Sequence, residues 1–222
     1  MFAIGHFALG YLTGKGSSKI LKTSLNLPLL LAVSVIPDID LVLEKISSIL
    51  PMHRGPTHSI ITLTVLMIPF FILCRKKAIP YYLVLLSHSL IGDFFTGGIE
   101  MLWPLSQNWF GNVAIPIGSL TDIAFESSLF ILTTAIMLRS KDLQSLLKPK
   151  RTNLILLIPF GAVLGPLLGA VLAPLLRIGS NFESSLPALL AIPSVFWLVI
   201  FAYSILFGLL ARTKKPPLAA TA

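Results

Sequence analysis

The sequence predicts an all-α fold: a polytopic helical bundle integral to a membrane, with about five or six membrane helices. Three observations predict it. The 222-residue chain is 55% hydrophobic and only 12% charged, about half the charged share of a typical soluble domain. Its mean hydropathy is +0.88, and apolar runs of roughly spanning length recur along it. Lysine and arginine also collect in alternate loops, as membrane topology requires. The formal net charge of +8 is explained by those loops, so no direct nucleic-acid contact is expected.

The elements follow in order. Residues 2–14 form a short apolar helix. The opening MFAIGHFALG has no basic n-region and no clear cleavage site, so no signal peptide is expected. Residues 25–43 make a span that ends in Pro37, Asp38 and Asp40. Residues 58–74 and 78–96 make two more. Residues 97–119 read as a loop, with Trp103, Pro104 and Trp109 as an interfacial aromatic patch. Residues 120–138 make a fourth span despite Asp122 and Glu126, which share a helix face; they could hydrogen-bond behind ligating histidines, but the preferred reading is that they line a wet cavity. The basic run RSKDLQSLLKPKR occupies 139–151. Residues 152–176 and 188–211 are two further spans of structural character, followed by a polar tail. Gly161, Gly165 and Gly169 form a small-residue face suited to close helix packing. The lone Cys74 excludes an internal disulfide and a cysteine-based metal cluster. The expected organisation is a metal-site membrane domain at 1–138, a basic cytoplasmic loop at 139–151, and two structural transmembrane helices with the tail at 152–222.

Charge then orients the chain. With Arg75, Lys76 and Lys77 inside, alternation also places Lys15, Lys19, Lys22, the 139–151 run, Arg212, Lys214 and Lys215 inside. Only Lys45, Arg54 and Arg177 fall outside. The location expected is a cell (inner or plasma) membrane, crossed several times. Although only Lys and Arg set this orientation, all four histidines gather at the outer end with three aspartates: His6, Asp38, Asp40, His53, His58, His88 and Asp93. Ionisable groups at membrane depth are costly, and usually face a cavity or one another.

Imidazole with carboxylate is a ligand set for divalent metals, zinc first and manganese or magnesium as alternatives. These seven residues are therefore the candidate ligands for one or two ions. On a straight helix, residues two or five apart point different ways. Asp38/Asp40, His53/His58 and His88/Asp93 thus require irregular backbone, which Pro37, Gly55-Pro56 and Gly97-Gly98 can provide. Taken singly, Asp38 could cap a turn, and Thr57 or Ser59 could cap the span at 58–74. Arg54 could snorkel to lipid, or present its planar fork to a substrate oxygen.

The motifs GHF (5–7), PDID (37–40), HRGPTHS (53–59), SHSLIGDFFTGG (87–98) and LWPLS (102–106) resemble a family of membrane-bound, metal-dependent hydrolases. Its bacterial representatives are described as inner-membrane proteins that bind the LexA repressor. The resemblance covers roughly residues 2–120. It implies that His6, Asp38, Asp40, His53, Arg54, Thr57, His58, Ser59, His88 and Asp93 match the family pattern. Leu41 stands where family members often carry a further histidine.

The function expected is hydrolysis of a lipid-like or phosphoester substrate through a metal-activated water. Asp40 would be the proton acceptor, and Arg54 would stabilise the developing oxyanion. Membrane lipid and an amphipathic substrate are the expected partners, with a cytoplasmic protein docking at 139–151 as a further one. The alternatives are a metal-binding membrane protein with a regulatory or interaction role, and an ion transporter. The inner halves of the spans are almost purely apolar, which disfavours a transport pathway.

Overall fold

A computed structural model describes residues 1–41, 53–175 and 187–211. Lys45, Arg177, Arg212, Lys214 and Lys215, used above to orient the chain, lie outside these residues. Eight α-helices are described: α1 (Ala3–Ile20), α2 (Leu27–Val33), α3 (Ile60–Cys74), α4 (Ile79–Ser87), α5 (Leu120–Arg139), α6 (Asp142–Leu146), α7 (Leu157–Leu175) and α8 (Ala188–Leu210). Among the described residues there are no strands. Two isolated bridges, Thr96 with Val113 and Ile99 with Phe110, pin the loop that joins α4 to α5.

Local sequence sets the boundaries. Asn26 caps α2 by accepting the Leu29 N–H at 3.2 Å, and Pro28 sits in its first turn, where a missing N–H costs nothing. Ser59 caps α3 by accepting from Ile61 and Thr62, which settles the cap between the two hydroxyl candidates. Ser119 caps α5 through the Asp122 N–H. The first helix has no side chain of its own in that role. Instead Glu126 of α5 accepts the Phe2 and Gly5 N–H groups at 2.7 and 3.1 Å.

The bundle closes around α1, which packs on α4 and α5. Phe7 and Tyr11 of α1 are fully buried, as are Trp197 and Phe201 of α8. Phe7 meets the edges of both α8 rings, with centroids 5.8 and 5.4 Å away. The C-terminal helix therefore shares one core with the N-terminal segment. Asn153 extends this tie, donating to the Leu146, Lys148 and Ser204 carbonyls.

Among the described residues, three helices are long and apolar enough to cross a membrane: Leu120–Arg139, Arg151–Gly169 and Ala188–Leu210. This corrects the expected five or six. The run at 25–43 yields only the seven residues of α2 before Pro37 turns it into a 3-10 segment. The run at 78–96 yields nine α-helical residues before a π-helical turn at His88–Asp93. α3 has 15 residues, about 22 Å of helix against a hydrocarbon core of about 30 Å. α1 is longer than expected, at 18 residues, but carries Lys15 and Lys19. Each shortened run is interrupted where it delivers an ionisable side chain. The glycine stripe is also corrected, because a Cβ added at Gly161 or Gly165 would meet nothing within 4 Å.

The helix ends sort by charge. Lys15 and Lys19 of α1, the turn Arg75–Lys77, and the segment from Arg139 to Arg151 lie at one end. Lys15 pairs there with Asp142 of α6. His6 sits toward the opposite end of α1, about 14 Å away along the axis.

Candidate metal centre

Three breaks in regular helix deliver the polar groups. Asp38 lies in the 3-10 turn Pro37–Ile39, and His58 closes the 3-10 turn Pro56–His58. His88 and Asp93 bound the π-turn, in which Phe94 N–H donates to the Ser89 carbonyl five residues back. The wider π register brings residues five apart toward a common face, which an α-helix would not do. His6 arrives from α1, and its ring stacks on His88. Gly92 makes room for it, since a Cβ there would stand 2.5 Å from His6 Cε1.

Four donor atoms converge. His58 Nε2 lies 3.1 Å from His88 Nε2, 3.0 Å from Asp93 Oδ2 and 3.5 Å from Asp38 Oδ1. His88 Nε2 lies 3.3 Å from Asp93 Oδ2 and 3.4 Å from Asp38 Oδ1. Ligands bound tetrahedrally at zinc distances of 2.0–2.1 Å are about 3.3 Å apart. The spacing is that of a metal's coordination shell.

Tautomers follow from the partners behind each ring. His88 Nδ1 lies 2.7 Å from the Ser34 carbonyl; a carbonyl only accepts, so Nδ1 carries a proton, and Nε2 is the ring nitrogen left to ligate. His58 Nδ1 faces Asp40 Oδ2 at 3.2 Å and Thr57 Oγ1 at 3.0 Å. Thr57 already donates its hydroxyl proton to Asp40 at 2.6 Å, so His58 Nδ1 is again the protonated nitrogen. Two imidazole Nε2 atoms and two carboxylates thus point at one another. With both rings neutral such a set repels itself unless a cation lies between its members, and an outer carboxylate or carbonyl behind each ring is the usual support of a metal-bound histidine. The residues present fit a divalent ion.

Each candidate residue has a place in this arrangement. His6, Asp38, His88 and Asp93 form one group able to hold an ion, and Asp38, His53 and His58 form a second that shares Asp38. Asp40 stands behind the rings: its Oδ1 meets His53 Nδ1 at 2.9 Å, and its Oδ2 also accepts the Arg54 N–H. The Arg54 fork is occupied within the protein. Its Nη2 donates to Asp93 Oδ1 and Thr96 Oγ1, both at 3.0 Å, and its Nη1 donates to the Thr96 carbonyl at 3.3 Å. Arg54 has a left-handed backbone, φ +68°, an uncommon conformation that needs surrounding support. His53 and Asp38 are the most accessible members, with side chains 29% and 17% exposed, so the cluster opens on their side.

Two supporting groups were not legible in the sequence, and two more were legible but in another role. Ser34 contributes only a carbonyl, which any residue could supply. Thr96 binds Arg54 from outside the motifs' charged positions. Asp122 and Glu126, expected to line a wet cavity, are both fully buried and accept backbone N–H groups instead. Asp122 takes the Gly118 N–H at 2.9 Å, while Glu126 anchors the start of α1. Two carboxylates within one apolar helix were the available signal, because their burial is tolerable only when they are hydrogen-bonded.

No curated protein and no solved structure matches the chain. The pattern of one membrane-protein family does match, over residues 1–173, a stretch containing every member of the histidine–aspartate cluster. With its long apolar helices, this establishes a helical membrane protein, and the chain belongs to the YdjM inner membrane protein family.

Proposed function

We propose that the protein is a membrane-embedded, metal-dependent hydrolase acting on a lipid-like or phosphoester substrate. One observation carries this reading. His58 Nε2, His88 Nε2, Asp38 Oδ1 and Asp93 Oδ2 converge as lone-pair donors at metal-ligand spacing. A bound divalent ion, zinc by preference, supplies Lewis acidity and a water of lowered pKa, about 7 on zinc.

The chain's residues do the rest. His58, His88, Asp38 and Asp93 hold the ion, with His6 beside them and Asp38 shared with a second position at His53. Ser34 and Asp40 fix the ring orientations. Arg54 fixes Asp93, so its first role is positioning. His53, held at Nδ1 by Asp40 Oδ1 and lying at the open side of the cluster, takes up the proton at Nε2 when that nitrogen is not itself a ligand. By the positive-inside bias this chemistry sits at the outer membrane face.

Elemental analysis of the detergent-purified protein tests the reading, combined with hydrolysis of chromogenic phosphodiesters and carboxylic esters. Near-stoichiometric metal and turnover, both collapsing in His58→Ala and His88→Ala, are expected. A wild-type protein that takes up no divalent ion would overturn it. Stoichiometric metal without turnover of any ester would favour the regulatory reading, in which a cytoplasmic protein docks at 139–151.

A further inference from the structure

A cavity of about 440 Å³ lies at the other end of the bundle, against the last turns of α1, the segment leading into α2, α6 and the residues before α7. Its lining includes the polar Lys15, Asp142, Ser145 and Lys150 and the apolar Leu25 and Leu27. Lys15 and Asp142 neutralise each other as an ion pair. Lys150 Nζ has one hydrogen bond among the described residues, to Ser145 Oγ at 3.4 Å. Thr23, also on the wall, has a buried hydroxyl without a partner among the described residues. The cavity therefore carries a net positive charge and an unspent hydroxyl.

Basic pockets between membrane helices at the cytoplasmic side suit anionic lipid headgroups, and the cytoplasmic leaflet is where such lipids attract basic residues. The positive-inside bias assigns this end to that side. Apolar residues in the lining beside the charged ones match an amphipathic ligand; a soluble phosphate would leave them without purpose. We propose that this cavity binds the phosphodiester headgroup of an anionic membrane phospholipid, with Lys150 on the phosphate, the Thr23 and Ser145 hydroxyls on the polar headgroup, and Leu25 and Leu27 against the first apolar carbons. The site is separate from the histidine cluster and independent of the hydrolase reading.

The test is native mass spectrometry of the full-length, detergent-solubilised protein titrated with phosphatidylglycerol, phosphatidylethanolamine and inorganic phosphate. Saturable binding of phosphatidylglycerol in preference to phosphatidylethanolamine is expected. Lys150→Gln should weaken it about five-fold, the effect of one basic residue near a lipid phosphate. Ser145→Trp, which fills the cavity without changing its charge, should abolish it. Lys19→Gln/Lys22→Gln, exposed and outside the cavity walls, should leave it within about two-fold. His88→Ala should bind the lipid like wild type. Equal affinity for the two lipids, or wild-type binding by Lys150→Gln, would overturn the proposal. So would displacement of the lipid by equimolar inorganic phosphate, which would assign the site to a soluble ligand.

Discussion

The imidazoles of His6 and His88 stack face to face, 3.7 Å between centroids and 16° from parallel. They come from α1 and from the π-turn, so the stack ties the first helix to the cluster. Both His6 nitrogens are buried without a hydrogen-bond partner among the described residues, and Nε2 lies 3.8 Å from Asp93 Oδ1. Packing, not hydrogen bonding, therefore positions the ring.

His6→Phe separates packing from ligation. Phenylalanine fills the same volume and keeps a stacked face toward His88, but offers no lone pair. The variant should fold with nearly wild-type thermal stability and lose metal affinity at least tenfold, measured by competition with a chromophoric chelator. Unchanged affinity would remove His6 from the ligand set.

The Arg54 guanidinium is held by three hydrogen bonds to Asp93 and Thr96, and an added Cβ at Gly97 would lie 2.4 Å from its Nη1. That fit is specific to a planar fork. Arg54→Lys keeps the charge but cannot donate to Asp93 and to the Thr96 carbonyl at once. Metal affinity should fall about 10–100-fold, the usual cost of removing a ligand's outer partner. If Arg54 instead acts on substrate alone, the lysine variant will keep its metal and lose only turnover, and the positioning role fails.

Much of the site could be read from the sequence, because metal chemistry needs rare residue types. Four histidines in a chain this apolar had few reasons to share one end, and Pro37 and Gly55-Pro56 marked where helices would break. The π-turn at His88–Asp93 could not be read, since a register change leaves no signature beyond two polar residues five apart. The same blindness inflated the span count. An apolar run such as 78–96 looks identical whether its helix continues or yields at His88 to feed the cluster. The different places of Asp40 and Asp38 were equally hidden: both come from the one PDID motif and both were candidate ligands, and only the fold shows Asp38 on the Nε2 side of His58 and Asp40 on its Nδ1 side.

At the basic end, Asp142 accepts from Lys15, Tyr11 and Ser140. Part burial pushes its carboxyl pKa up, but these three hydrogen bonds outweigh it and hold the group below the usual carboxylate value. A depressed folded-state pKa contributes stability above the unfolded value of about 3.9, lost as pH falls through the folded one. Asp142→Asn should therefore melt below wild type at pH 7. The difference should shrink as the pH falls below about 4, when wild type too becomes neutral there. A gap that stays constant across that window would show that shape, not charge, carries the contact.

Glu126 tests whether the N-terminal helix is anchored from outside itself. Each of its oxygens accepts one backbone N–H at the start of α1, from Phe2 and Gly5. Glu126→Gln keeps the shape but turns an NH2 group toward one of those donors, leaving a buried N–H unpaired. The expected cost is about 1–3 kcal/mol, read as lower thermal stability in detergent. Because His6 lies one residue beyond Gly5, the loosened start should also weaken metal binding, though less than His6→Phe does, since the nitrogen remains and only its placement suffers. The two readouts must move together. A variant with wild-type stability would show that α1 needs no such anchor; a destabilised one with unaltered metal affinity would show that His6 is placed by its stack on His88 alone.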